Sequence, residues 1–335
     1  MATSHITTRR FPGLFLALLL VGACASPRPY WVDSDAKEWS LPLVDPDGGA
    51  ELLVQAHIGD HGPYLFLVNP DAHYTAIGQS LAEELDLYRG DWHIARSQLD
   101  RPVHTRAYEL VGLRVGDFRL KTMGVVSFPS GALDVRGHEI RGVLGGNVFT
   151  STIVVDIDRD ASVIRATRIG RARIPLDAIA IEGRTYGGQL SIPARINGQS
   201  VQLQVDLGHS TSLWPHAADD LGLSRIDVND TLIDVTGTAE HRTIGANVDQ
   251  LTIGDIALAD QPAVLFWVDG WRKNRVDHGI LGRDVLARYR TIIDKNTKTL
   301  WLAPRSAKRP GADGAASQKD EYGTFAPRAN RSPGS

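Results

Sequence analysis

The stretch VQLQVDLGHSTSLWPHAADDLGL, residues 201–223, decides how this chain reads. Val201, Leu203 and Val205 alternate with Gln202 and Gln204, the period-2 pattern of a strand with one buried face. Asp206 stands where that strand ends, ahead of Gly208, a short apolar step and a helix-like segment. A carboxylate in that place is either the cap of its own turn or a group held there for chemistry. Residues 201–223 alone do not separate the two.

A second copy does. YLFLVNPDAHYTAIGQSLAEELDL (64–87) has the same order of strand, polar turn, apolar step and helix-like segment ending in Leu-x-Leu. LVGLRVGDFRL (110–120) answers VDQLTIGDIAL (248–258). IRGVLGGNVFTSTIVVDIDRDASVIRA (140–166) answers DHGILGRDVLARYRTIIDKNTKTLWLA (277–303). The interval from Asn69 to Leu144 equals that from Asp206 to Leu281, and a one-residue slip then pairs Asp156 with Asp294. Matched blocks in one order imply an internal duplication. The short alternating runs, broken by Gly, Asp and Asn, make the class mostly β. The predicted organisation is a first lobe over 47–170 and a second over 171–303.

Outside the lobes, MATSHITTRRFPGLFLALLLVGACAS has Arg9 and Arg10, an apolar run over 14–23, and small residues. This is the layout of a signal peptide, with a run too short to span a membrane. VGAC (21–24) resembles the lipobox of bacterial lipoproteins and makes Cys24 the expected lipidation site; cleavage near Ala25 that discards Cys24 is the alternative. TRRF also loosely resembles a twin-arginine export signal. The expected locale is the bacterial envelope with a lipid anchor, the outer membrane favoured because Ala25 rather than Asp follows the cysteine. Residues 25–46, with four prolines, read as a tether, and 304–335 as a disordered tail.

Composition narrows the function. A net charge of −3 gives no electrostatic reason to expect nucleic acid. One cysteine excludes an intrachain disulfide and a Cys-based metal site. His57, His61, Asp71 and His73 lie near one another, but their spacing matches no ligand motif, so neither a metal nor a cofactor is expected. GVLGGN lacks the Lys-Ser/Thr of a phosphate loop, and no G-x-S-x-G frames Ser210. Trp92, Trp267 and Trp271 fall in variable loops, as packing or as cleft lining.

The paired blocks resemble the aspartic peptidases of the pepsin and retropepsin type. The resemblance rests on QVDLGHSTSLW with GILGRD, and on LVNPDAHYT with GVLGGN, over roughly 47–303. It implies two β-barrel-like lobes facing across a cleft, and two carboxylates sharing one proton, one activating water and the other polarising the scissile carbonyl. By this resemblance Asp206 is the catalytic candidate and Asn69 its degenerate counterpart. Leu207, Gly208, Ser210 and Asp71 complete the two turns; Leu144, Gly145, Leu281 and Gly282 form the hydrophobic-hydrophobic-Gly signatures. The family's Thr or Ser after the aspartate, which bonds across the lobes, is Pro70 in one copy and Leu207 in the other.

An amide at position 69 cannot exchange a proton with Asp206. The expectation is therefore a degenerate peptidase that holds an extended peptide or protein segment without cutting it. Alternatives are an active endopeptidase using Asp206 and a structural envelope lipoprotein with an empty cleft. Asp71 could supply a carboxylate through a re-formed turn, although turn aspartates usually cap their own backbone. Asp206 could also pair with His209, or with its own counterpart in a second chain.

Overall fold

The structure, a computed structural model, describes residues 35–44, 48–96, 102–186, 188–233, 240–266 and 277–305. Cys24, Trp267, Trp271 and the tail beyond 305 lie outside these residues. Trp92 falls in the strand Arg89–Arg96.

Each copy builds the same closed barrel. In the first, the hairpin Leu53–Ile58 and His61–Val68 leads to Gly142–Leu144, Ala76–Gly78, Phe118–Phe128 and Pro102–Val115, which pairs back onto Leu53–Ile58. In the second, Gln189–Ile196 and Gln199–Val205 lead to Gly279–Leu281, Ser212–Leu213, Ile256–Phe266 and Glu240–Ile253, which closes on Gln189–Ile196. Even the minority parallel pairings recur: Leu144 beside Val68 and Leu281 beside Val205. The alternation read from sequence is what fills the interiors. Leu203 and Val205 point inward with Phe66 and Val68, all fully buried, and each such side chain contributes about 1.5–3 kcal/mol.

A six-stranded sheet joins the lobes, in the order Ile179–Glu182, Thr299–Pro304, Tyr289–Asp294, Ile153–Asp158, Val163–Arg168, Glu38–Val44. Its two central strands pair Val155 with Ile293 and Ile157 with Thr291. The two strands correspond end to end, Ile153–Asp158 with Tyr289–Asp294, which makes Asp158, not Asp156, the counterpart of Asp294. Both end their strands and accept N–H groups from the following turn: Ala161 donates to Asp158, and Asn296 and Thr297 donate to Asp294. The sequence pairing of Asp156 with Asp294 is thus corrected. Asp156 instead takes both Arg290 N–H groups, at 2.9 and 2.6 Å, across the lobe boundary.

A second correction concerns the tether. Residues 38–44 form a strand paired with Val163–Arg168, not a linker. Its prolines suggest a loop, but Trp39 and Leu41 alternate into the core and Trp39 meets Phe118 edge-on at 6.2 Å. Pro42 sits at the end of the ladder, opposite Val163, where a missing N–H costs least. Among the described residues no helix is long and apolar enough to cross a membrane.

Candidate active site

Two turns meet at the seam between the barrels. The Asp206 N–H donates to Leu281 O at 3.1 Å, and the Asn69 N–H donates to Leu144 O at 2.9 Å. Each bond adds one step to a parallel ladder, so the backbone fixes both residues at strand ends. Each side chain then accepts from the N–H two residues on. Asp206 Oδ1 takes Gly208 at 2.7 Å, and Asn69 Oδ1 takes Asp71 at 3.0 Å. This is the turn-capping geometry of Asx residues.

Capping does not use up either group. Asn69 Nδ2 also donates to Asp206 Oδ1 at 3.4 Å, with both residues only 6% exposed. Sequence analysis aligned these two through the repeat, and the fold brings them into contact. His209 is buried beside them, its Nε2 3.8 Å from Asp206 Oδ2. Leu207 is buried in the seam, and Ser210 is half-buried at the end of its turn.

The hydrophobic-hydrophobic-Gly signatures have a steric cause. A Cβ on Gly145 would lie 2.2 Å from Tyr74 O, and one on Gly282 would lie 2.2 Å from the Ser210 carbonyl carbon. Backbone passes so close because each turn is pinned from behind. Thr211 donates both its N–H (2.6 Å) and its hydroxyl (2.8 Å) to Asp284 Oδ1, and its Oγ1 accepts the Gly282 N–H at 3.1 Å. Thr75 repeats this with Asn147 Oδ1 at 2.8 Å twice, and with the Gly145 N–H at 3.0 Å. Sequence reasoning missed these four side chains. The signal was present as a Thr in each turn and an Asn or Asp after each Gly-x.

It also missed two cations. Arg283 is buried, donates to Gly208 O at 2.7 Å, and lies 3.3 Å from Glu51 of the first lobe. Its counterpart is Gly146, where a Cβ would meet Pro70 O at 2.7 Å. Lys295, from the hairpin after Asp294, donates to Pro70 O at 2.9 Å and lies 3.2 Å from Asp71 Oδ1.

Asp71 therefore does not cap its own turn; Asn69 does. Its carboxyl is fully occluded against Lys295. Burial pushes it up to about 6, with the Asp206 charge adding to the rise and Lys295 and the Leu207 N–H opposing it. A carboxyl with no exposed surface cannot touch a peptide, so Asp71 is not a substitute for the carboxylate absent at 69. The seam offers one carboxylate, one amide donor and a histidine. Beside the first-lobe turn lies a cavity of about 430 Å³, bounded by residues 70–74, by the loop after Gly145, and by Gln189 and Lys295 of the second lobe.

His57 and His61 sit on either side of the Gly59–Asp60 turn, and among the described residues no three His, Cys, Asp or Glu side chains gather into a metal-binding group.

Comparison with known proteins gives the same architecture. The chain resembles an aspartic proteinase from Irpex lacteus at 12% identity, over 82% of this chain and 99% of that one, with a TM-score of 0.51. A retropepsin-like aspartic protease from Rickettsia conorii is 23% identical over 38% of this chain and 100% of that one, with a TM-score of 0.31. A search of curated proteins found no match. The aspartyl protease family model matches twice, at residues 54–148 and 192–285, once in each lobe and together over more than half of the chain. The chain belongs to the aspartyl protease family.

Proposed function

We propose that this protein is a degenerate peptidase, anchored in the bacterial envelope through Cys24, that holds an extended peptide or protein segment between its lobes without cleaving it. The observation that carries the reading is the Asn69–Asp206 contact. Peptide hydrolysis on this scaffold needs one carboxyl to give a proton while the other takes one. Asn69 donates a hydrogen bond and cannot complete that exchange. The remaining seam is suited to holding: an extended segment binds by backbone hydrogen bonds and side-chain pockets, and neither needs a dyad.

The test is capture. A fluorescent random peptide pool is expected to be retained by the purified protein, with its mass spectrum unchanged after incubation. Gly208→Leu, whose side chain would occupy the space of the Asn69 amide, is expected to weaken retention. No retention by the wild-type protein contradicts the reading.

A second reading, an active endopeptidase using Asp206, is favoured by one observation: His209 is buried with its Nε2 3.8 Å from Asp206 Oδ2, an acid and a base side by side. Asp206-dependent cleavage of the pool would select it.

A further inference from the structure

We propose that the cavity beside the first-lobe turn is a subsite for an acidic side chain of the bound peptide, recognised by the Lys295 ammonium, with Asp71 as the internal competitor that sets when Lys295 is available. The proposal rests on the peptide-holding reading and names one feature of its ligand.

Lys295 reaches the cavity wall from the hairpin that follows Asp294. Its ammonium has three protons, and two protein oxygens face it: Pro70 O at 2.9 Å and Asp71 Oδ1 at 3.2 Å. The Lys295 side chain is 12% exposed, whereas the Asp71 side chain has no exposed surface. A ligand entering the cavity can therefore reach the cation and not the acid. The ionisable groups lining the cavity are Asp71, His73, Tyr74 and Lys295, so Asp71 is the one carboxylate among them. When it is neutral, nothing on that wall opposes the ammonium. Ser151 and Thr185 line the same space, and a hydroxyl is a donor suited to the outer oxygen of a carboxylate.

The competitor is a weak one. The charged and titratable groups facing Asp71 are Lys295 from the hairpin and Asp206 from the second-lobe turn; His209 and Arg283 lie one contact beyond, against Asp206 and Gly208 O, and His73 of its own turn is exposed at the cavity. Burial and the Asp206 charge hold the Asp71 carboxyl up at about 6. Below that pH Asp71 takes a proton and its hold on Lys295 weakens. A glutamate side chain in solution stays ionised down to about 4.3. Between these limits an external carboxylate replaces Asp71 as the partner of Lys295.

The experiment uses two matched probe pairs. N-acetylglutamate N-methylamide and its glutamine counterpart are titrated by NMR shift perturbation, and hexapeptides differing by one Glu or Gln are titrated by anisotropy, at pH 5 and pH 7.5. The wild type is expected to prefer the Glu probe by about tenfold at pH 5, the worth of one charge-assisted contact, and to lose that preference at pH 7.5. Asp71→Asn is expected to keep the preference at pH 7.5, and Lys295→Met to abolish it at both. Lys295→Gln, which retains a donor for Pro70 O, serves if the methionine variant unfolds. His73→Asn is expected to leave the pH dependence in place. Equal binding of the Glu and Gln probes at pH 5, a preference that survives loss of Lys295, or a pH dependence lost with His73 would each overturn the subsite. Acid-selective binding of the small probe with no binding of either hexapeptide would sink the peptide-holding reading and leave the subsite standing.

Discussion

Asn69 Nδ2 donates to Asp206 Oδ1 at 3.4 Å across the seam of two barrels that repeat each other strand for strand. Everything around that contact is symmetric in backbone: the strand-end bonds to Leu144 and Leu281, the caps on Asp71 and Gly208, the threonine pins behind. The asymmetry is chemical, an amide facing a carboxylate.

Restoring the carboxyl should make that asymmetry measurable. Asn69→Asp places two acids where an amide and an acid now touch, and two like charges that close cannot both ionise freely. One carboxyl is then raised above its unfolded value, so the variant loses stability as pH rises through the acid range. The expected loss against wild type is about 2 kcal/mol at pH 7, closing towards pH 4, read by urea unfolding. Asn69→Asp with Pro70→Thr is expected to produce acid-pH peptide cleavage, with none expected from the parent.

Asp71 gives a pH dependence of its own. Its carboxyl sits at about 6 in the folded chain, against about 3.9 unfolded. The folded state thus binds the proton more tightly, and this group's contribution to stability is largest below about pH 4 and declines as pH rises to about 6. Asp71→Asn should flatten that part of the stability profile. A slope unchanged between pH 4 and 6 would remove Asp71 as its source.

The pins behind the turns should matter more for stability than for binding chemistry. Thr211→Val removes the hydroxyl that joins Asp284 to the Gly282 N–H and leaves the buried Gly282 N–H and the half-buried Asp284 carboxylate short. The expected cost is about 1–3 kcal/mol, with Thr75→Val similar through Asn147 and Gly145. Denaturant midpoints of the two variants check the symmetry directly.

Breaking the Arg283 contact should cost more. Arg283→Met leaves Gly208 O without its donor and Glu51 with only Arg136, 3.8 Å away, and removing one partner of a buried ion pair costs about 3 kcal/mol. Glu51→Gln with Arg283→Met is expected to recover part of the loss, as measured by a double-mutant cycle.

The duplication and the Asn69–Asp206 pairing were legible in the sequence because barrel strands need strict alternation and their turns need glycine at close backbone approaches such as Gly145 and Gly282. Lys295 and Arg283 were not. A basic residue in a hairpin or at the start of a short helix looks solvated, and only tertiary packing brings Lys295 to Asp71, more than two hundred positions away. The strand Glu38–Val44 was hidden by proline composition, and the Asp158–Asp294 equivalence by a second aspartate two residues earlier in the same strand.

The central claim is that the scaffold holds peptides and no longer cuts them. Its most direct test is digestion of a defined random peptide pool from pH 3 to pH 7, followed by mass spectrometry, with wild type and Asp206→Ala run side by side. The account predicts no new termini in either sample at any pH. Cleavage by the wild type that disappears in Asp206→Ala would contradict it.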